Sequence, residues 1–321
     1  MKTLLTALLG IEHPIIQAGM GGGANAEIAA AVSNAGALGS LSSIAMPPEM
    51  VRAHIAETRA LTEKPFAVNM VTWAFTSNWQ EIIDTVIEER PPVVTISFGD
   101  PIPAFQRCKA AGLTTILQVQ DTAGLKAAIE AGADAIIVQG NEAGGHTGRR
   151  STLSFATQAL ELAGDIPIVV AGGIANGRGL AAALAMGAAG VVMGTRFKAT
   201  NEFVGQQVHK QAIVASDGGD TLYDEINDIA RGSLWPNRVT GRAIRNAFTA
   251  EWEGRAAELG AAVAQQTPRG FATARMADPD HQPNWGGEIS GIITEVIPAA
   301  EVVQRTVSEA EALLRKLSAI Q

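Results

Sequence analysis

A short unit recurs where helical stretches of this chain end: one or two small or polar residues, then a glycine, then an apolar run. It occurs at residues 34–36 (NAG), 110–112 (AAG), 130–132 (EAG) and 185–187 (AMG). Glycine just past a helix end takes the left-handed conformation that stops the helix. Each helix therefore leads directly into a strand, and this repetition predicts a parallel sheet covered by helices.

The strand pattern predicts an α/β fold, specifically a (β/α)8 TIM barrel. Runs rich in β-branched residues alternate with alanine-rich helical stretches. The chain has 321 residues, and barrels of this kind run to about 250 residues or more, so the length allows one barrel with an insertion. Strands are predicted at 14–20, 38–43, 66–72, 93–99, 114–120, 135–141, 167–173 and 190–197.

A doubly wound sheet is the competing architecture. Residues 19–24 (GMGGGA) follow the first strand and match the dinucleotide pattern G-x-G-x-x-A. That pattern also needs an acidic residue about 20 positions further on. Residues 41–45 (LSSIA) stand there instead. We therefore favour the barrel and interpret these glycines as room for a flat ligand at the end of the first strand.

The strand pattern breaks after residue 199. We expect the barrel to comprise residues 1–199 and 286–321, and residues 200–285 to form a helical or irregular insertion that acts as a lid. Helices are expected at 203–215 and 240–260, and a closing helix within 288–317. The first ten residues are expected to form a short helix across the floor of the barrel, not a cleaved signal peptide.

Composition excludes several classes of function. The formal charge is −8 and the basic residues are scattered, so no nucleic-acid surface is indicated. No apolar run approaches the roughly 20 residues that span a bilayer, and a cytoplasmic protein is expected. Cys108 is the single cysteine, which excludes internal disulfides, and its helical setting indicates an inert thiol. No metal site is predicted, and the alanine-rich helical surfaces allow a homodimer.

Three glycine-rich loops follow predicted strands. Residues 139–148 (QGNEAGGHTG) carry His146, while 171–174 (AGGI) and 193–197 (MGTRF) follow the seventh and eighth strands. Loops after strands seven and eight form the usual phosphate site of such barrels. Tight turns alone would also explain the glycines, but their place in these two loops favours phosphate binding. The sequence thus predicts a phosphate-anchored cofactor beside a histidine.

Six ordered motifs make the chain resemble the FMN-dependent nitronate monooxygenases, formerly called 2-nitropropane dioxygenases. The resemblance implies FMN lying across the barrel mouth. Flavin-dependent enoyl-ACP reductases and NADH:quinone reductases of the same fold look alike in most of these motifs, so an NAD(P)H-dependent FMN reductase is the alternative. The motifs are 14–18 (PIIQA), 30–36 (AAVSNAG), 65–69 (PFAVN), 142–148 (EAGGHTG), 171–174 and 193–197.

The resemblance also implies a set of site residues. His146 would be catalytic, accepting a proton from a nitroalkane α-carbon or, as imidazolium, holding an anionic nitronate. The phosphate would contact glycines and one threonine, three residues would border the isoalloxazine, and three side-chain amides would bind the ring or ribityl chain. The cofactor-binding residues are Ala18, Gly19, Met20, Asn69, Gln118, Gln139, Gly144, Gly145, Ala171, Gly172, Gly173, Gly194 and Thr195.

The implied reaction converts an alkyl nitronate of the propionate-3-nitronate type, with O2, to a carbonyl compound and nitrite. Arg149 and Arg150 could meet the substrate carboxylate or be loop charges, and His281 of the insertion is a second candidate histidine. Two positions depart from the family pattern. Gly19 stands where many bacterial members have proline, and Glu288 stands where glutamine is usual. The first departure favours the reductases.

Overall fold

The structure, a computed structural model, describes residues 1–73, 79–235, 239–265, 271 and 277–319. In chain order its strands are β1 (Ile15–Gln17), β2 (Gly39–Ser42), β3 (Phe66–Val71), β4 (Val93–Ser97), β5 (Thr114–Val119), β6 (Ala135–Gln139), β7 (Gly145–Thr147), β8 (Ile168–Ala171), β9 (Gly190–Met193), β10 (Thr221–Asp224), β11 (Thr240–Ile244) and β12 (Asn284–Trp285).

The helices that alternate with the barrel strands are α1 (Leu4–Leu9), α2 (Ala26–Asn34), α3 (Pro48–Leu61), α4 (Trp79–Glu89), α5 (Ile102–Ala110), α6 (Thr122–Glu130), α7 (Thr152–Leu162), α8 (Gly177–Ala185) and α9 (Thr195–Lys198). They are followed by α10 (Gln207–Ala215), α11 (Ile226–Arg231), α12 (Ala247–Trp252), α13 (Ala256–Gln265) and α14 (Ala299–Ser318). Short 3₁₀ helices span Pro279–His281 and Glu288–Ile292.

Across the described residues, eight strands form one parallel sheet in the order β1-β9-β8-β6-β5-β4-β3-β2. The two end strands meet where Ile16 pairs with Leu38. There the amide of Gln17 donates to the carbonyl of Leu38 at 2.9 Å. The predicted TIM barrel is therefore confirmed. The doubly wound alternative is wrong, because such a sheet stays open.

All eight predicted barrel strands are present, although each ends earlier than predicted. The largest error is at 190–197, because β9 ends at Met193 and residues from Thr195 onward turn into helix α9. The predicted helix–glycine caps are present as well. Gly36, Gly112 and Gly132 have φ values of 86°, 75° and 71°, in the left-handed region that glycine takes without steric cost.

The barrel floor is closed by α1, as predicted. Leu5 and Leu9 of this helix join the interior side chains of the barrel in one buried apolar cluster. Gly190 makes room for the contact, since a β carbon there would lie 2.5 Å from Leu5 Cδ2. The opposite end, where the strands have their carboxyl termini, is left for the loops that carry the candidate site.

A second, larger apolar cluster lies between the strands and the surrounding helices. Cys108 is fully buried in it, and this burial raises the pKa of its thiol to about 11, which agrees with the predicted inert cysteine. Among the described helices, none is long and apolar enough to cross a membrane.

The insertion, residues 200–285, is not only helical and irregular as predicted. Its strands β10, β11 and β12 form an antiparallel sheet, and β11 also pairs with β7 from the barrel loop. The predicted helix at 240–260 is wrong at its start, where Thr240–Ile244 is a strand. Helix α10 is shorter than predicted, and the stretch 288–317 holds a 3₁₀ helix before α14 begins.

The insertion has its own small apolar core. Ile226 and Ala230 of α11 pack there against Phe248 of α12 and Leu259 of α13. All four side chains are nearly or fully buried. This packing fixes the orientation of α11, and with it the direction of the helix face that points away from the core.

Candidate active site

His146 lies in β7, seven residues beyond the end of β6, at the mouth of the barrel. The strand that holds it belongs to the sheet of the insertion. Gly241 of β11 is the register partner of His146, and Arg242 is the partner of Gly145. The backbone of the candidate catalytic residue is therefore held in place by residues that lie about a hundred positions later in the chain.

The imidazole of His146 contacts a buried carboxylate. Its Nε2 lies 2.9 Å from both Oδ1 and Oδ2 of Asp228, a residue of α11. The His146 side chain is 10% exposed and that of Asp228 is 2% exposed. A carboxylate removed from water needs a hydrogen-bond donor, and within the described residues His146 is the donor that its side chain contacts.

Two indole rings flank the imidazole. Trp235 stacks on it with ring centroids 4.1 Å apart and an interplanar angle of 20°. Trp285 is tilted by 51° at 4.9 Å. The edge of Phe98 packs against Trp235 at 4.9 Å, and Phe98 has a φ of 61°. A bulky residue in the left-handed region is strained, as is common at functional sites.

The predicted phosphate loops come together at the same mouth. Gly172 and Gly173 have φ values of 105° and 68°, which glycine takes without steric cost. A β carbon on Gly172 would lie 2.7 Å from Thr152 Oγ1. Space around Gly173 is open, since its β carbon would meet only Glu142 Cβ at 3.8 Å.

The segment after β12 joins these loops to the eighth barrel strand. The amide of Gly287 donates to Thr195 Oγ1 at 3.0 Å, which leaves the Thr195 hydroxyl hydrogen available. Gly144 lies directly under this segment, because a β carbon on it would be 2.6 Å from the backbone of Gly286 and Gly287. Gly194 faces Ala18 and Met20 at distances of ordinary contact.

Three glutamines form a cluster at the ends of β5 and β6. Oε1 of Gln139 accepts from Nε2 of Gln118 at 3.0 Å and from Nε2 of Gln120 at 3.2 Å. The Gln139 amide hydrogens have no partner among the described residues and can donate to a ligand. Gln120 was missed by the sequence reasoning, although it ends the same predicted strand as Gln118.

Asn69 has partners at both ends of its amide. Its Nδ2 donates to the carbonyl of Gly19 at 3.2 Å, and its Oδ1 accepts from Thr95 Oγ1 at 2.9 Å. Gly19 is held close, since a β carbon there would lie 2.2 Å from Asn69 Cβ. These contacts orient the amide within the barrel mouth and leave one Nδ2 hydrogen for a ligand.

Besides Gly19, two more glycines of residues 19–24 have protein where a β carbon would lie, so the interpretation of these glycines as room for a flat ligand is wrong on that side of the loop. A β carbon on Gly21 would meet Ile44 Cγ2 at 2.7 Å. One on Gly23 would meet the Phe203 ring at 2.0 Å. These positions are filled by protein, because Phe203 at the start of the insertion packs against the first barrel loop.

The arginines after His146 differ in their surroundings. Arg150 donates to Thr122 Oγ1 at 3.0 Å and Gln158 Oε1 at 2.9 Å, and its guanidinium lies over the Phe155 ring. It therefore joins α6 to α7. Arg149 is exposed. His281 contacts Asp278 Oδ2 at 2.9 Å, three residues earlier in the chain.

The Glu288 carboxylate forms an ion pair with an arginine of the insertion. Its Oε1 lies 2.9 Å from Nη2 of Arg242, and the Glu288 side chain is 47% exposed. Arg242 is buried and also donates to the carbonyl of Asn141 at 2.9 Å and to Thr221 Oγ1 at 3.0 Å. This arginine ties the loop of His146 to the insertion and to the segment after β12.

Helix α9 carries two cations near the mouth, of which Arg196 is buried and Lys198 is half-buried. Burial lowers the pKa of Lys198 to about 7, and its Nζ donates to Asn284 Oδ1 at 2.6 Å and the carbonyl of Trp285 at 3.0 Å. Burial likewise lowers the pKa of Arg196 to about 10, and Arg196 donates to the carbonyls of Ala199 and Glu295. The Lys198 ammonium and Arg196 Nη2 therefore donate to protein oxygens, while Arg196 Nε is buried without a partner among the described residues.

The residues present fit a flavin. The open space around Gly173 suits a phosphate, the amides of Gln139 and Asn69 suit a polar heterocycle, and a buried acid–base group stands beside them. The site thus combines a (β/α)8 barrel, glycine loops at its carboxyl-terminal mouth and a buried histidine beside them.

A family model described as nitronate monooxygenase matches residues 2–77 and 70–309. A nitronate monooxygenase of Pseudomonas aeruginosa is 32% identical, with 96% of this chain and 99% of that protein covered. The structure of FabK from Thermotoga maritima superposes with a TM-score of 0.87 at 32% identity and full coverage of both chains. The chain belongs to the nitronate monooxygenase family.

A shorter match has higher identity. A Rhodococcus jostii protein named (3aS,4S,5R,7aS)-5-hydroxy-7a-methyl-1-oxo-octahydro-1H-indene-4-carboxyl-CoA dehydrogenase is 44% identical over 202 residues. That alignment covers 63% of this chain and 56% of the relative, so the match spans little more than half the length of that relative.

Proposed function

We propose that the protein is an FMN-dependent nitronate monooxygenase, which converts an alkyl nitronate of the propionate-3-nitronate type and O2 to a carbonyl compound and nitrite. One observation carries the proposal: His146 stands at the barrel mouth with Nε2 against Asp228, and Nδ1 has no hydrogen-bond partner in the described part of the chain. An imidazole held in this way can exchange a proton with a bound substrate.

FMN would be held through its phosphate by Gly172, Gly173, Gly194 and Thr195, and when bound it would supply the electron acceptor. The other predicted contacts belong to the same proposal. Gln139 has amide hydrogens to donate to a polar ring, and Asn69 keeps one. Ala18, Gly19 and Met20 would border the ring, with Gln118, Gly144, Gly145 and Ala171 completing the surroundings.

His146 would serve the substrate in either protonation state. As neutral imidazole it accepts the proton that a nitroalkane loses from its α-carbon, and as imidazolium it attracts the negative oxygens of the nitronate. The tryptophans on both sides exclude water from the ring. A proton transfer there competes with solvent less than one at an exposed histidine would.

A second candidate is an oxidoreductase acting on a CoA thioester or, with NAD(P)H, on an enoyl thioester or quinone. The 44% identity to the Rhodococcus jostii carboxyl-CoA dehydrogenase favours it. So does Gly19, which occupies the position where many bacterial nitronate monooxygenases carry proline. The acid–base histidine suits this chemistry too, because a thioester, like a nitro group, acidifies the adjacent C–H.

Anaerobic mixing distinguishes the two candidates. The purified flavin-loaded protein is combined with propionate-3-nitronate or with NADH in separate stopped-flow shots, and flavin absorbance is followed. We expect bleaching by the nitronate and none by NADH, followed by nitrite production when O2 is admitted. Bleaching by NADH with no response to the nitronate would overturn the proposal in favour of a reductase. Release of the bound flavin and its chromatography against FMN and FAD tests the cofactor separately.

A further inference from the structure

We propose that Asp228, contributed by the insertion, is the positioning residue that fixes His146 as the Nε2–H tautomer and leaves Nδ1 as the nitrogen that exchanges protons with substrate. The role in turnover rests on the proposed function, whereas the tautomer does not. Asp228 thus makes the insertion part of the acid–base machinery.

The two equal distances indicate where the proton lies. Nε2 of His146 is 2.9 Å from each carboxylate oxygen of Asp228. A single N–H between two acceptors accounts for both contacts, while a protonated carboxyl group would donate from one oxygen only. An ionised carboxylate accepts and cannot donate, so the neutral imidazole keeps its hydrogen on Nε2 and its lone pair on Nδ1.

Asp228 is fixed by packing rather than by the histidine alone. Its neighbours Ile226 and Ala230 on α11 are fully buried in the core of the insertion. Gly232 ends the helix in the left-handed conformation, with its amide bonded to the carbonyls of Asp228 and Ile229. The carboxylate is therefore presented from a rigid element, as a preorganised site requires.

The insertion holds the histidine at a second point. Residues Gly145–Thr147 of the barrel loop form a ladder with β11, in which His146 lies opposite Gly241. The backbone of His146 and the carboxylate that contacts its ring are thus both set by the insertion. A change at Asp228 should alter the proton position of the imidazole without moving its backbone.

The first test needs no substitution. In flavin-bound protein labelled with ¹⁵N-histidine, the ring signals of His146 are assigned by their absence from the His146→Ala spectrum. At a pH where the ring is neutral, we expect the shifts and couplings of a protonated Nε2 and an unprotonated Nδ1. A protonated Nδ1 with an unprotonated Nε2 would overturn the proposal, whatever the substrate proves to be.

The second test uses Asp228→Asn, which keeps size and removes the charge. Its amide can donate to Nε2, so we expect some His146 to move to the Nδ1–H tautomer and kcat to fall about 10²-fold to 10⁴-fold, as for other histidines that lose a carboxylate partner. KM should change by less than about threefold, since binding groups are untouched. Unchanged tautomer and unchanged kcat would overturn the proposal.

Controls separate this role from a loss of structure. Glu225→Gln removes an exposed carboxylate from the cap of the same helix, and both its kcat and its histidine spectrum should match the unchanged protein. Asp228→Ala with added formate is the rescue test, because a small carboxylate can fill the vacated space. Formate should restore part of the lost turnover, and it should not do so for His146→Ala. If the unchanged protein shows the expected tautomer but does not turn over the nitronate, the proposed substrate is wrong and the role of Asp228 stands.

Discussion

Trp285 covers Gly241 so closely that a β carbon on Gly241 would lie 2.3 Å from Cζ3 of the indole ring. The same ring lies 4.9 Å from the imidazole of His146, the register partner of Gly241. Because Gly241 has no side chain, the Trp285 ring can occupy this position. The tryptophan in turn closes one side of the imidazole.

We expect Gly241→Ala to displace the Trp285 ring and lower kcat/KM by roughly tenfold to a hundredfold, because small displacements near reacting groups are costly. Steady-state kinetics and tryptophan fluorescence measure the two effects. Gly260→Ala in α13 is the control, since a β carbon there meets nothing within 4 Å. Wild-type kinetics and emission in Gly241→Ala would contradict the steric role of this glycine.

His146→Ala should retain flavin yet lose turnover by about 10²-fold to 10⁴-fold, the scale of general acid–base catalysis. The visible spectrum reports flavin content, and nitrite release reports turnover. His54→Ala, on the outer helix α3, should behave like the unchanged protein. Full turnover by His146→Ala would remove the histidine from the chemistry.

Gly172→Asp should purify without flavin, because the new side chain places bulk and negative charge where the backbone meets a phosphate. The left-handed Gly164 gives a matched control, since it has φ of 58° and nothing within 4 Å of its β carbon. Gly164→Asp should stay yellow. Circular dichroism on both variants shows whether the barrel is intact. A folded Gly172→Asp protein that keeps its flavin would place the phosphate elsewhere.

Lys198 should make stability depend on pH. Burial lowers its pKa from 10.5 to about 7, so between these values the unfolded chain holds a proton that the native state lacks. The free energy of unfolding therefore rises with pH in this window, by at most about 1.4 kcal/mol per pH unit, and falls again as the pH is lowered toward 7. We expect urea unfolding to show that, from pH 7 to 10, the free energy of unfolding of the unchanged protein rises relative to that of Lys198→Met.

The exposed Lys64→Met variant is the control for Lys198, and its stability difference should stay flat over the same range. If the difference in free energy of unfolding between Lys198→Met and the unchanged protein is also independent of pH, the ammonium of Lys198 titrates at its ordinary pKa.

Cys108 should be unreactive in the native protein. With a thiol pKa of about 11, roughly one molecule in a thousand carries the thiolate at pH 8, and the side chain is also buried. We expect an aromatic disulfide reagent to react only after urea unfolds the chain. Prompt reaction in buffer would show that helix α5 opens or that the thiol is less shielded than its packing indicates.

The barrel could be predicted because its signals are local. Each strand is an apolar run followed by a glycine-marked loop, and each helix carries its own stop signal at residues such as Gly36 and Gly112. The glycine loops after the seventh and eighth barrel strands could be placed for the same reason, since each follows an apolar run.

The insertion could not be predicted in the same way. Strand β11 is recognisable only through its partners β7, β10 and β12, which lie far away in sequence. Asp228 lies 82 residues from His146, in a short helix whose polar residues look like an ordinary exposed face. The glycines at 21 and 23 show a limit of local patterns. Their sequence is typical of a ligand-binding loop, but in the structure they make room for protein side chains.

The pairing of β7 with β11 makes assembly of the histidine site a long-range event. The barrel alone supplies neither the ladder partner of His146 nor the carboxylate at its ring. Amide hydrogens of residues 145–147 should therefore exchange with solvent at the rate of 240–244 and not at the slower rate of β6. A single local unfolding step of the insertion would then abolish the proposed proton transfer while the glycine loops proposed to hold the phosphate stay folded, so cofactor retention and catalytic competence would be lost at different concentrations of denaturant.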